Sequence, residues 1–599
     1  MIHEIVQFIE YLENISSEIF SENLDLKKGL YVFLEKENGE FVIKDENILK
    51  VEKKIIKEDF NEQDKKLYDS FIDRYYNSLM LSANKSFLGK PGSFIEIGSP
   101  FGIRFKKEAV LKDVNKTLND LKLYFNNAEK YLDNTKAETF KLYKNFKEFC
   151  VNQLLSVLET NEILNNYNNK NNIFLFSKEV SLLDFKNAYQ NYLKVKVFLE
   201  SGEKEYGISG DLNVGNVDKK LFMRHKTASF ETNCKVDGDT ALKLYKFFRL
   251  QQKNEVFPNP LPLFVDRDEL TKNAISIYKN DRKKGHKEII EDLINKGENL
   301  QNYYLFFFQN NLKGSRIIDL DFVPVFRYKV EDIKLHEPFS VGGKLLNQQI
   351  NNIFDFQNNV LNKIFNKQLI QETKKGLWIK YFDDIEVKPE YGATDSIVNL
   401  FYKYRKAFYD YIYKSKRQAI TSTMFHDIMQ TSILDDVKHD KEYDKGYRIK
   451  EKLNIWFSLY NYFNNNKTNV KMASKIPELL EKCRKVANDD NEHLSDDPKE
   501  FAFAAGQIIY FLLDKSEAGN KTHALLEPFL QKTKAEHLQN VISNTVGVYK
   551  HAIDFGKGRF ERLSKEVLAY ETNVNIKDLQ RFILAGYFAQ PVIYEKSPK

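Results

Sequence analysis

Cysteine is nearly absent: Cys150, Cys234 and Cys483 stand far apart, and no C-x-x-C pair occurs. That excludes a disulfide framework and a zinc ribbon, and a reducing compartment is expected. Long apolar runs are missing too. The longest strongly apolar stretch, FAFAAGQIIYFLL (501–513), is too short to cross a bilayer as a helix. The opening MIHEIVQFIEYLENISSEIF is interrupted by Glu4, Glu10 and Glu13 and lacks the basic and continuous apolar regions of a signal peptide. A cytoplasmic location with no membrane partner is the expectation. Charge of one sign is also scarce: 91 Lys+Arg against 85 Asp+Glu leave a net charge of +6, which neither requires nor excludes nucleic acid. No G-x-x-x-x-G-K-[ST] occurs, since VGGKLL (341–346) lacks both the spacing and the Ser/Thr, so an ATP motor is excluded. G-x-S-x-G and H-E-x-x-H are absent as well.

What is present is apolar and aromatic: 42% hydrophobic and 14% aromatic residues over 599 positions, enough for two to four cores. In LYVFLEKENGEFVIKDE (30–46) two strand-like runs flank Asn38-Gly39, a hairpin signal because both residues tolerate positive φ. Helices are predicted over 62–82, 111–133 and 137–160. The Gly- and Pro-rich segment 84–107 reads as loops and short strands, and 302–309 and 317–328 as strands. FPNPLPLF (257–264) is extended, and helices dominate 344–434. The charged DDVKHDKEYDKGYR (435–448) reads as a linker. Beyond it, Asp497-Pro498 starts a helix that Gly519 can close; Thr533 to Glu536 form a capping box, and Asn575 caps a last helix. The expected fold class is α+β: a mixed α/β region with short sheets and long helices over 1–435, then an all-α helical bundle over 436–599.

Catalytic constellations are hard to find. His426-Asp427 and His439-Asp440 superficially match HD-type metal-dependent nucleases or phosphohydrolases, the alternative function. Such a site needs further His and Asp ligands, and the chain has 10 His in all. The pairs read better as solvated linker charges, and Asp319, Asp321, Asp383 and Asp384 as surface or turn residues. Basic residues among aromatics are a more positive signal. YKYRKAFYDYIYKSKRQ (402–418) puts Lys403, Arg405, Lys406 and Lys414 on one helix among tyrosines and Phe408. Segment 84–107 offers Asn84, Lys85, Ser86, Lys90, Arg104, Lys106 and Lys107, suited to a loop in a DNA groove. Toward the C-terminus, Lys550, Arg559, Arg562 and Lys565 form a further basic set, with Lys557 beside it.

The segment EFAFAAGQIIYFLLDKSEAGNKTHALLEPFLQKTKAEHLQNVISNTVGVYKHAI carries three blocks in order, at 502–507, 520–532 and 549–553, and FILAGYFAQPVIYE (582–595) follows. It closely resembles the C-terminal region of the large subunits of type I-B CRISPR surveillance complexes (Cascade), the Csh-type large-subunit family. The specific match covers about 100 residues. Elsewhere it is looser, resting on SANKSF (82–87) and FPNPLPLF. Many relatives carry mid-chain cysteine pairs where this chain has only Cys234 with His225 nearby, so no metal or other cofactor is carried over.

The resemblance implies a non-catalytic subunit that inspects duplex DNA for a protospacer-adjacent motif, separates the strands and helps form the R-loop. Its implied partners are guide CRISPR RNA, target double-stranded DNA, the backbone and guide-end-capping subunits, and a separate helicase-nuclease. A small subunit translated from the same gene is a further partner, from an internal start at Met472, Met429 or Met424. Asn84, Lys85, Ser86 and Lys90 are expected at the motif, and the C-terminal basic set on strand backbone. His523, inside the second block, reads as a packed or hydrogen-bonded helix residue.

Overall fold

The computed structural model describes all residues except 16–24, 38–39, 53–59, 81–85, 89–96, 134–135, 201–205, 209–234, 252–257, 266–270, 277–284, 312–313, 342–348, 374–375, 441–445, 464–471, 518–520, 557 and 596–599. Cys234, His225, Gly519, Asn520 and Lys557 therefore lie outside the described residues. The chain forms two compact units, one of residues 1–282 with 310–317, the other of 283–309 with 318–599. Short sheets in the N-terminal half and helices in the C-terminal half make it α+β, as the sequence predicts.

In the first unit, helix α1 (Ile2–Ile15) precedes strands β1 (Gly29–Glu37), β2 (Glu40–Val42) and β3 (Ile48–Val51), helix α2 (Glu62–Tyr76) and strand β4 (Gly102–Lys106). Helices α3 (Val114–Ala128) and α4 (Ala137–Asn152), strand β5 (Asn172–Ser177), and helices α5 (Leu182–Val197) and α6 (Gly238–Gln251) follow. The sheet runs β2-β1-β5-β4, with β3 also on β1. β1 and β5 are parallel and β4 is antiparallel to β5. Leu30 to Leu34 and Ile173 to Phe176 are all buried. Such unbroken apolar runs are what strands covered on both faces require. Tyr31 stacks on Phe174 at 4.3 Å, and Phe33 on Phe71 of α2 at 4.1 Å. The expected hairpin is present: Glu37 faces Glu40 across the β1–β2 register, while Asn38 and Gly39 themselves lie outside the described residues. Asn61 caps α2 by accepting from the Asp64 N–H.

Strands β6 (Gln301–Asn311) and β7 (Gly314–Val325), most of whose residues fall in the second unit, are hydrogen-bonded neighbours. The main helices are α7 (Asp395–Tyr413), α8 (Ser422–Lys438), α9 (Tyr447–Leu459), α10 (Met472–Asn488), α11 (Pro498–Asp514), α12 (Ala535–Tyr549), α13 (Arg559–Ala569) and α14 (Ile576–Phe588). Asp497 caps α11 with Pro498 at its first position, and Asn575 caps α14, both as read from the sequence. The capping box at Thr533 does not form. α12 starts at Ala535 without a side-chain cap, and the Thr533 carbonyl instead accepts from the Ile576 N–H at 2.9 Å. α11 already ends at Asp514, short of Gly519. Among the described residues no helix is long and apolar enough to cross a membrane.

The expected linker over 435–448 is corrected at both ends, which are helical, while 441–445 lie outside the described residues. α8 runs on to Lys438, and Asp435 and Asp436 are buried, inside the second unit. Lys452 Nζ lies 2.6 Å from Asp436 Oδ2, 2.7 Å from Asn366 Oδ1 and 2.6 Å from Ser432 Oγ. Thr394 donates to Asp435 Oδ2 at 2.7 Å. These carboxylates belong to a core polar network, which satisfies charges that water no longer reaches.

Candidate nucleic-acid interface

In segment 84–107, Asn84, Lys85 and Lys90 lie outside the described residues. Between them, Phe87 is buried among the rings of Tyr124, Tyr131 and Tyr192 at 5.1 to 5.4 Å. Its carbonyl accepts from Asn127 Nδ2 at 2.8 Å. Ser86 is buried beside it, so it is an anchor rather than a surface contact. Further along, the Tyr124 hydroxyl is within 2.8 to 3.2 Å of the carbonyls of Ile97, Ser99 and Gly102. Strand β4 then takes over, and alternation decides exposure. Ile103 and Phe105 face the core, Arg104 is half-buried opposite Phe174, and Lys106 is exposed. Lys107 is not a loop cation: it is buried, donating to the Asn165 carbonyl at 2.7 Å and to Asn165 Oδ1 at 3.0 Å.

The basic stripe of α7 is a second case where acids far away in sequence change the reading. Lys414 is 2% exposed and lies 2.6 Å from Asp319, 3.2 Å from Asp321 and 3.1 Å from Asp410. Lys406 joins Asp319 at 3.2 Å and Asp410, and Lys416 joins Asp321. Three lysines thus meet three carboxylates, with β7 supplying two of the acids. Arg405 donates to the Asp383 carbonyl at 3.0 Å and lies over the Tyr402 ring. Lys403 pairs with Asp427 at 2.9 Å while remaining 61% exposed. Lys403 and Lys406 are ion-paired but stay more than half exposed, at 61% and 52%; Lys414 and Arg405 are structural.

In the C-terminal helices, Arg559 donates to Asn488 Oδ1 at 2.6 Å and to the Glu595 carbonyl. Arg562 donates to Asp490 Oδ1 at 2.6 Å. Both tie α13 to neighbouring chain. Lys565, 72% exposed, pairs with its helix neighbour Glu561 at 3.0 Å, and Lys550 is exposed. Between Lys534 and Lys550, the exposed face of α12 carries His537, Asn540, Ser543, Asn544, Gly547 and Val548, with one acid, Glu536, at its start.

The two His-Asp pairs do not converge. His426 Nδ1 accepts from the Trp456 indole N–H at 2.9 Å, which places the ring proton on Nε2, 3.2 Å from Ser422 Oγ. Burial, with Arg581 adding to it, lowers its pKa to about 4. Asp427 is occupied by Lys403 and Tyr404. Asp440 accepts from the His523 backbone N–H at 2.9 Å, and His523 itself packs edge-on against Phe588. Among the described residues no group of His, Cys, Asp and Glu is placed to hold a metal ion.

The family-like blocks are brought together by packing. Gly506 and Gly586 let α11 and α14 cross backbone to backbone, and Gln507 bridges them by donating to the Gly586 carbonyl and accepting from the Val592 N–H at 2.8 Å. His523, from the second block, reaches the Tyr587 hydroxyl at 3.2 Å. Sequence reasoning missed one polar cavity, of about 430 Å³, around Asp435 and Tyr391. Its residues come from five separate segments, and only the adjacent Asp435-Asp436 signalled it. Comparison with protein-family models, with curated proteins and with solved structures finds no match.

Proposed function

We propose that this protein is the non-catalytic large subunit of a type I-B RNA-guided DNA surveillance complex, acting in the cytoplasm in antiviral defence. In this role it reads a short protospacer-adjacent motif in duplex DNA, promotes strand separation and helps recruit a separate helicase-nuclease. Delegating sequence recognition to a guide RNA leaves the protein a short motif and backbone geometry to read. The observation that carries the reading is the ordered set of blocks at 502–507, 520–532 and 549–553, the first two of which meet α14 in one packed unit. Two features support it. The α12 face has few acids to repel phosphate, and Lys550 and Lys565 stand exposed in the same C-terminal region. The segment around Phe87 is pinned into the first unit's core.

Native purification of the tagged chain followed by RNA extraction tests the reading. Short guide RNA and the complex's other subunits are expected to co-purify. Recovery of the chain without RNA or those partners overturns it. Alanine at Asn84 and Lys85 is expected to weaken binding to motif-bearing duplex more than to pre-opened DNA; equal losses would remove these residues from motif reading.

A further inference from the structure

Arg581, on α14, is a half-buried cation without an acceptor. Other arginines of the C-terminal helices are satisfied: Arg484 forks onto the Glu595 carboxylate at 2.7 and 2.8 Å, Arg559 donates to Asn488 and Arg562 to Asp490. Among the described residues no hydrogen bond and no ion pair reaches Arg581. Asp578, one turn back, acts on it only through space. Nε is buried and unbonded, but the side chain as a whole is half-buried, and the Nη atoms are not sealed in with Nε. Burial disfavours the charge and holds the guanidinium pKa below its ordinary value.

Two rings hold the group in place. The guanidinium carbon lies 4.8 Å from the Tyr460 centroid and 5.1 Å from that of Phe582. Ring faces attract a cation but offer no lone pair in the plane of its N–H groups. They fix the guanidinium plane and leave its edge of donors unsatisfied by protein.

The groups nearby add no second positive charge. The Tyr460 ring also meets His426, at 4.4 Å. That imidazole is neutral, with Nδ1 accepting from Trp456 and the proton on Nε2 beside Ser422. A planar fork with a single charge matches a carboxylate, which has two coplanar oxygens and one negative charge. A phosphate group brings nearly twice that charge on three oxygens and would be under-neutralised here, with Asp578 close by.

We propose that Arg581 anchors a carboxylate-binding site, taking both oxygens of one acidic group across its Nη edge between Tyr460 and Phe582. The acidic group comes either from a free small carboxylate or from an Asp or Glu side chain displayed on a partner chain. The chemistry at Arg581 is the same in both cases.

The test uses the full chain carrying Trp378→Phe, which leaves Trp456 as the only indole. The probes are acetate, a ten-residue glutamate peptide and a ten-nucleotide single strand. Trp456 reports on the site because protonating His426 at Nδ1 would leave the indole N–H facing a donor. Arg581 opposes that protonation, and a bound carboxylate offsets it. The acid-induced change in Trp456 emission is therefore expected to begin about one pH unit higher with ligand bound. In equilibrium dialysis Arg581→Gln is expected to weaken binding about tenfold, the loss of a charge-assisted pair. Arg581→Lys is expected to weaken it less, since the charge stays while the fork is lost. Binding of acetate, with or without the peptide, assigns the site to free carboxylates; binding of the peptide alone assigns it to a carboxylate displayed on a chain. If Arg581→Gln lowers the unfolding temperature, the ligand-dependent shift in the parent chain decides by itself. No binding of acetate or peptide at millimolar concentration, no shift in Trp456, or a strand weakened by Arg581→Gln as much as the peptide overturns the proposal. Co-purifying RNA, present or absent, leaves each of these outcomes unchanged.

Discussion

Gly506 and Gly586 meet at the crossing of α11 and α14, where neither position has room for a side chain. A Cβ on Gly506 would stand 2.1 Å from the Ile583 carbonyl oxygen, and one on Gly586 would stand 1.9 Å from that of Phe503. Backbone cannot step aside as a flexible side chain does. Gly506→Ala and Gly586→Ala are each expected to destabilise the second unit by at least ~1–3 kcal/mol, the usual cost of overpacking. Urea unfolding followed by circular dichroism checks this; a midpoint equal to wild type would contradict it.

The α7 lysines separate into two kinds. Lys414→Met removes the buried cation from three carboxylates and is expected to cost ~3–5 kcal/mol, the range for breaking a buried ion pair. Lys403→Ala, at an exposed pair with Asp427, is expected to change stability by less than about 1 kcal/mol. Thermal unfolding of the two variants side by side decides; equal losses would mean that burial does not distinguish them.

His426 makes stability depend on mild acid. Its folded pKa, lowered to about 4 chiefly by burial, lies below that of an unfolded imidazole at about 6.5. Between these values the unfolded chain binds more protons, so stability is full above pH 6.5 and falls as pH drops toward 4. The ring is partly solvated, so the loss is expected to be ~1–2 kcal/mol after screening. His426→Gln retains an acceptor for Trp456 and a donor for Ser422 but no titrating group. Its unfolding midpoint is expected to fall less than that of wild type between pH 7 and 4.5; parallel curves would refute the assignment.

On the proposed nucleic-acid reading, exposure separates the C-terminal cations that would meet phosphate from those that hold the fold. Lys550→Ala with Lys565→Ala is expected to lower the slope of log affinity against log salt by roughly one to two for single-stranded DNA. Arg559→Ala and Arg562→Ala are expected to lower the unfolding temperature instead, because both arginines are tied to main-chain and side-chain acceptors. Filter binding at several salt concentrations, with melting curves, distinguishes the two sets.

What the chain reveals locally it reveals well. Asp497-Pro498 and Asn575 start helices because a cap satisfies N–H groups two residues away, and β1 and β2 pair antiparallel on either side of the position where the sequence signals a hairpin. Apolar runs mark β1, β5 and α11 as core elements because burial follows composition over a short window. The candidate site was far less legible. Lys107 and Lys414 read as surface cations, yet Asn165 lies 58 positions from the first, and Asp319 and Asp321 come from a different strand than the second's helix.

The sequence by itself therefore determined the fold class, the caps at Asp497 and Asn575, the hairpin and the ordered blocks that carry the family resemblance. Tertiary structure alone decided which charges remain outward. It turned Asp435 and Asp436 from linker charges into the floor of a cavity, with Lys452 and Asn366 brought to them from distant segments. The reason is physical: the cost of burying a charge depends on the partners that surround it, and those partners are chosen by the packing of helices, not by their neighbours in the chain.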